Sequence, residues 1–131
     1  MNKKKAEAIR TMKYRYNGPK NGIGYSFSPV RYEEAEPANN RVFIYDEDFS
    51  DMLPFIQQKY PLVDIRSGEL YAAFDPCWDN PIPKAVWEQI VQELDALFVE
   101  DPDQLAFIHS FTAWVREVLE QADEIVVYGN L

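Results

Sequence analysis

The chain has 131 residues, 47% of them hydrophobic and 15% aromatic, and carries a formal net charge of −9. That length suits one domain, and that apolar content suffices for a packed core, which excludes a globally disordered chain. No apolar run approaches the roughly 18 residues of a membrane-spanning helix, the basic start MNKKKAEAIRTMKYR lacks the apolar stretch of a secretory signal, and the single cysteine, Cys77, excludes an internal disulfide.

The chain reads as one domain over residues 1–131, with residues 1–10 a basic, frayed terminus. In TMKYRYNG, Met12, Tyr14 and Tyr16 alternate with Lys13 and Arg15, and Asn17-Gly18 follows, which predicts a strand and a turn. GIGYSFSPVRY places Ile23, Tyr25 and Phe27 on one face and predicts a second strand, hairpin-paired to the first, with Pro29 at an edge or bulge. RVFIY, residues 41–45, is β-branched and aromatic, a third strand. In DEDFSDMLPFIQQKY, acids lead a helical apolar spacing of Phe49, Met52, Leu53 and Ile56, and Pro54 fits if the first turn begins near Ser50 or Asp51. PLVDIRSGELYAAFD predicts two short strands, 62–66 and 69–74, around Ser67-Gly68.

KAVWEQIVQELDALF and DPDQLAFIHSFTAWVREVLEQA both carry apolar residues at helical spacing, with Asp101 an N-cap before Pro102. Their short connection predicts an antiparallel helical pair. EIVVYGN closes the chain as a strand. The expected fold class is α+β: a mainly antiparallel sheet of five to six strands with the helical pair on one face. Tyr14, Phe27, Phe43, Ile65, Tyr71 and Val126 are the sheet residues expected to face those helices.

FDPCWDNPIP, residues 74–83, gathers Cys77, Asp75, Asp79, Trp78 and Asn80. A nucleophilic Cys77 needs a base or a positive field, yet its neighbours are aspartates, and His109 lies beside the apolar stripe of the second long helix. Asp75, Asp79 and Asn80 offer oxygens but not the spacing of a calcium loop. One histidine and one cysteine do not make a zinc site, so neither a metal nor a cofactor is expected. The favoured reading is a strand-to-helix corner: Asn80 caps the helix, Pro81 and Pro83 occupy its first turn, and Cys77 and Trp78 are buried, with Trp78 a partner contact if exposed.

Charge is unevenly spread. Residues 1–20 hold seven basic groups and one acid, or +6, whereas residues 21–131 hold six basic groups and 21 acids, or −15. Such a body repels nucleic acid and anionic membranes and attracts basic proteins. Glu33, Glu34 and Glu36 form one acidic group, and Asp46, Glu47, Asp48 and Asp51 another. With Tyr45 and Trp78 these are the candidate partner-binding residues, carboxylates for Arg and Lys with aromatic anchors between them. Glu100, Asp101 and Asp103 are accounted for by helix capping.

The segment FDPCWDNPIPKAVWEQIV, residues 74–91, with its strand, D-x-C-x-D-N corner and helix-borne tryptophan, resembles the small acidic immunity proteins that accompany bacterial polymorphic toxins and contact-dependent growth inhibition systems. The resemblance covers about a fifth of the chain. It implies a cytoplasmic protein that binds one cognate toxin with a basic surface, a nuclease by the logic of charge, and blocks it without catalysis. The alternatives are a small enzyme using the Asp75-Cys77-Asp79 corner and an adaptor subunit of an intracellular assembly.

Overall fold

The computed structural model describes residues 9–33 and 40–131. Among these residues the architecture is α+β, with a mixed but mostly antiparallel five-stranded sheet, a separate two-stranded sheet and four helices. The strands are β1 (Arg10–Met12), β2 (Gly24–Val30), β3 (Val42–Tyr45), β4 (Leu62–Val63), β5 (Leu70–Tyr71), β6 (Asp79–Pro83) and β7 (Glu124–Gly129). The helices are α1 (Asp46–Phe49), α2 (Leu53–Gln57), α3 (Lys84–Asp95) and α4 (Pro102–Leu119). The large sheet runs in the order β1-β3-β2-β7-β6, and β4-β5 is a hairpin of its own. No helix among the described residues is long and apolar enough to cross a membrane.

Strand β2 shows why the sheet forms. Tyr25, Phe27 and Pro29 are buried on one side, whereas Ser26, Ser28 and Val30 are half-buried on the other. Phe27 is the hub: its ring lies 5.1 Å from Phe49, 5.2 Å from Phe111, 6.4 Å from Trp87 and 6.5 Å from Trp114. The Trp87 indole N–H donates to the Ile125 carbonyl at 3.1 Å, so the core's largest side chain leaves no polar atom unpaired. Helix α4 is capped as expected, with the Asp101 carboxylate accepting the Asp103 N–H at 3.0 Å and Pro102 next in line. Asp95 ties α3 to α4 through Thr112 at 2.8 Å and Arg116 at 2.5 Å.

Several expectations are corrected. Residues 12–16 make no hairpin with β2, because β1 ends at Met12 and pairs parallel with β3. The segment beyond it is diverted by Asp48, whose carboxylate accepts the N–H groups of Tyr14, Arg15 and Tyr16 at 2.8, 2.9 and 3.0 Å. Phe43 and Val126 face away from the helices. Their neighbours Val42, Ile44, Ile125 and Val127 are buried instead, since one step along a strand changes face. Phe27 faces the helices as expected, and Tyr14 reaches α4 from outside the sheet, its ring 5.7 Å from Phe107. Ile65 and Tyr71 belong to the hairpin segment, not to the large sheet.

The prolines of the corner are also placed differently. Pro81 and Pro83 lie in edge strand β6, and α3 begins at Lys84 without a side-chain cap. The Gly129 N–H bonds the Trp78 carbonyl, and the Lys84 N–H bonds the Asp123 carbonyl. The ladder positions of β6 are therefore the even-numbered residues, so Pro81 and Pro83 direct their missing donors to the open edge. Edge prolines also block the addition of another strand there.

Candidate protein-interaction surface

The corner at residues 74–83 is organised by Asn80, which is 1% exposed. Its side-chain oxygen accepts the Asp75 N–H at 2.7 Å, and its amide donates to the carbonyls of Asp75, Trp78 and Val127 at 2.8, 3.0 and 3.1 Å. The Asp75 carboxylate accepts the Cys77 N–H at 2.9 Å. The end of the chain closes the corner from the other side: the Leu131 N–H reaches the Pro76 carbonyl at 3.2 Å. Gly129 is required here, because a Cβ would stand 2.1 Å from the Pro76 oxygen.

Asn80 thus fills the space beneath the corner, and Cys77 and Trp78 are turned out instead of buried. Trp78 is 63% exposed, and Cys77 is exposed. The Cys77 thiol donates to the Leu131 carbonyl at 3.2 Å. His109 lies on the exposed side of α4. Among the described residues no group of three His, Cys, Asp or Glu side chains is arranged to hold a metal ion.

Around Trp78 the sheet end is apolar and acidic together. The Tyr128 ring lies 6.4 Å from that of Trp78 and is 40% exposed. Asp79 stands opposite Tyr128 across the β6–β7 ladder, and Asp75 and Asp79 are both exposed. Ile23 and Leu131 add exposed apolar surface. Asn130 joins the adjoining turn, accepting the Gly24 N–H at 2.9 Å and donating to the Gly22 carbonyl at 2.6 Å. Helix α1 starts at the same end, with the Asp46 N–H on the Ile23 carbonyl at 3.1 Å. Beneath lies Tyr25, fully buried, whose phenol is pushed up to about 12 by burial and then by the nearby Asp46 and Cys77.

The sequence-expected site residues do not form one patch. Asp46 and Trp78 lie at this same sheet end, next to β3 and β6 with β2 and β7 between those strands, and Glu47 beside Asp46 is exposed. Asp48 is 5% exposed and engaged with the three backbone N–H groups, and Tyr45 is 7% exposed, stacked on Tyr16 at 4.2 Å. Asp51 is exposed but accepts from Gln104 at 2.7 Å and lies 4.0 Å from Arg15. Glu33 is exposed in the turn after β2, at the opposite end of the sheet. Glu34 and Glu36 lie outside the described residues.

Sequence reasoning missed a buried cluster on the outer side of the sheet. Glu124, 1% exposed, accepts the Tyr32 hydroxyl at 2.8 Å and lies 3.4 Å from the Arg66 guanidinium, which covers the Tyr32 ring at 4.9 Å. Burial holds the Glu124 carboxyl above its usual range, while the bonds from Tyr32 and Arg66 act the other way. The native protein therefore keeps this proton to higher pH than the unfolded chain does. Its contribution to stability declines as pH rises through the window between the unfolded value, 4.5, and the raised native value. Comparing urea midpoints of wild type and Glu124→Gln checks this: the difference should move in favour of the wild type as pH falls from about 7 towards 4.5. A difference that is flat, or that moves the other way, would contradict the assignment.

Comparison with family models, with curated proteins and with solved structures finds no match for this chain.

Proposed function

We propose that this protein is a cytoplasmic immunity-type inhibitor that binds a basic toxin domain, a nuclease in the simplest case, and occludes its substrate groove without performing chemistry itself. The observation that carries the reading is Trp78: a tryptophan 63% exposed on a corner held rigid by Asn80 and flanked by Asp75 and Asp79. Tryptophan is among the commonest anchors of protein interfaces, and a rigid mount removes much of the ordering cost of binding. Carboxylates beside it steer a basic partner and take the places that phosphates would occupy in that partner's groove.

The test is titration of the toxin domain with wild type and Trp78→Ala. The variant should bind about thirtyfold more weakly, roughly 2 kcal/mol, with its urea midpoint unchanged because the ring packs on little. Equal affinities would remove the reading. Steering gives a second expectation: the association rate should fall by about tenfold or more between 50 and 500 mM salt, and Asp46→Lys with Glu47→Lys should lower it further. Asp48 is left out of that reversal because its carboxylate is structural. A rate indifferent to both salt and reversal would argue for an uncharged mode of contact.

A further inference from the structure

Among the described residues nine large apolar side chains are exposed, and five of them lie on the β4–β5 hairpin segment and the corner beside it: Val63, Ile65, Leu70, Trp78 and Tyr128. Val63 and Leu70 are cross-strand partners, so they share one face of the hairpin, and Ile65 is exposed in the turn between the strands. They are 53%, 62% and 62% exposed for Val63, Ile65 and Leu70. The opposite side holds Leu62, packed against the core, and the preceding Tyr60, whose ring meets Phe74 at 6.1 Å.

This is an ordered turn and not a loose loop. The Asp64 N–H bonds the Glu69 carbonyl at 2.9 Å, and the Gly68 N–H bonds the Asp64 carbonyl at 2.8 Å. The Asp64 carboxylate accepts the Ser67 hydroxyl at 2.7 Å, and Gly68 supplies the positive φ of 76° that closes the turn. Arg66 then ties the turn to Glu124 on the outer side of β7. Contiguous exposed apolar residues on an ordered element mark an interaction site.

The surrounding charge specifies the occupant. Glu69, Asp75 and Asp79 are exposed on the hairpin segment and the corner, and the Glu69 carboxylate accepts the Tyr71 hydroxyl at 3.3 Å; burial, then Glu69, Asp64 and Asp79, raise that phenol. Arg66 of the hairpin turn is engaged with Glu124, and Lys59, just before the hairpin, with Glu93 at 2.6 Å. An apolar centre with an acidic rim is complementary to a segment bearing apolar side chains among lysines or arginines. We propose that the outward face of the β4–β5 hairpin, with Trp78 and Tyr128, docks a basic amphipathic segment of the partner protein. The proposal rests on the reading of the Trp78 corner as a contact face.

Two synthetic peptides of equal length and charge test it on the full chain, one a Leu/Lys amphipathic helix and the other its Ser/Lys counterpart. Anisotropy of a fluorescein carried on each peptide reports binding, so that Trp78→Ala is read on the same scale as the wild type. The Leu/Lys peptide should bind at least twentyfold tighter than the Ser/Lys peptide. Val63→Ser with Ile65→Ser and Leu70→Ser should weaken it at least tenfold and leave the Ser/Lys peptide unchanged. Ile65→Ser alone, at a site without core contacts, should give a threefold loss and covers the case in which the triple variant folds poorly. If both hairpin variants stay within twofold of wild type while Trp78→Ala weakens binding, the hairpin is not the docking face and the Trp78 reading stands. If Trp78→Ala is also without effect, or neither peptide binds, both readings fail. Concentration-dependent dimerisation abolished by the hairpin changes would assign this face to self-association and overturn the proposal.

Discussion

Replacing Asp48 with alanine should lower the free energy of unfolding by about 4 kcal/mol, a large share of what a domain of this size possesses. Asp48 is one acid in a run of acids, but its carboxylate is buried and accepts three consecutive backbone N–H groups, from Tyr14, Arg15 and Tyr16. Hydrogen bonds to an ionised acceptor contribute about 1.5–3 kcal/mol each, and the full sum is not reached because the freed N–H groups regain water as the segment frays. Further contacts depend on that segment: the Tyr16–Tyr45 stack, the Tyr14–Phe107 stack and the hydrogen bond from the Tyr14 hydroxyl to Asp101. Asp48→Asn keeps one acceptor oxygen and should cost about half as much. Urea unfolding gives the magnitude, and amide exchange at residues 14–16 gives the location. A loss below about 1 kcal/mol, or undiminished protection at those amides, would show that the carboxylate does not hold the segment.

Asn80→Ala should cost about 3 kcal/mol and should weaken partner binding as well. The side chain joins four backbone groups of the corner and of β7, and the Val127 carbonyl that it reaches is buried. Alanine removes the donor shared by the Asp75, Trp78 and Val127 carbonyls and opens a space beneath residues 75–78. Asn80→Asp tests the chemistry separately. It preserves the acceptor for the Asp75 N–H but sets an oxygen against three carbonyls, so it should destabilise by at least as much as alanine. Because Asn80 holds the mount of Trp78, both variants should lose affinity for a partner at concentrations where they are fully folded. A folded Asn80→Ala with wild-type affinity would separate the corner's rigidity from recognition.

The helices were legible because one stripe decides them. Trp87, Ile90, Val91 and Leu94 repeat at helical spacing and all are buried in α3, and Asp101-Pro102 marks the start of α4. Strand β7 was legible as a strand, but its position between β2 and β6 was not, since periodicity names no partner. Period-two patterns also leave the sign of a face open, so the pattern alone does not tell that Phe43 and Val126 face away from the helices. Asp48 carried a usable signal: it lies four residues before buried Met52, on the apolar face of the α1–α2 turn, unlike Glu47. For Asn80 the alternation of D-N-P-I-P placed it on the same face as Ile82, inward, which is incompatible with a helix cap. The outward hairpin face carried none, because exposed and buried aliphatic strands read alike.

On the proposed function, the protein acts by presenting Trp78 and its neighbouring carboxylates to a basic protein. A photo-crosslinking residue at position 78, introduced in cells that naturally make the protein, tests it most directly, with the same residue at exposed Glu88 on α3 as the comparison. One basic protein should be captured from position 78 and not from position 88, with the yield falling when Asp75 and Asp79 are replaced by asparagine. Capture of the partner from position 88 and not from 78, or a yield at 78 indifferent to those carboxylates, would contradict it.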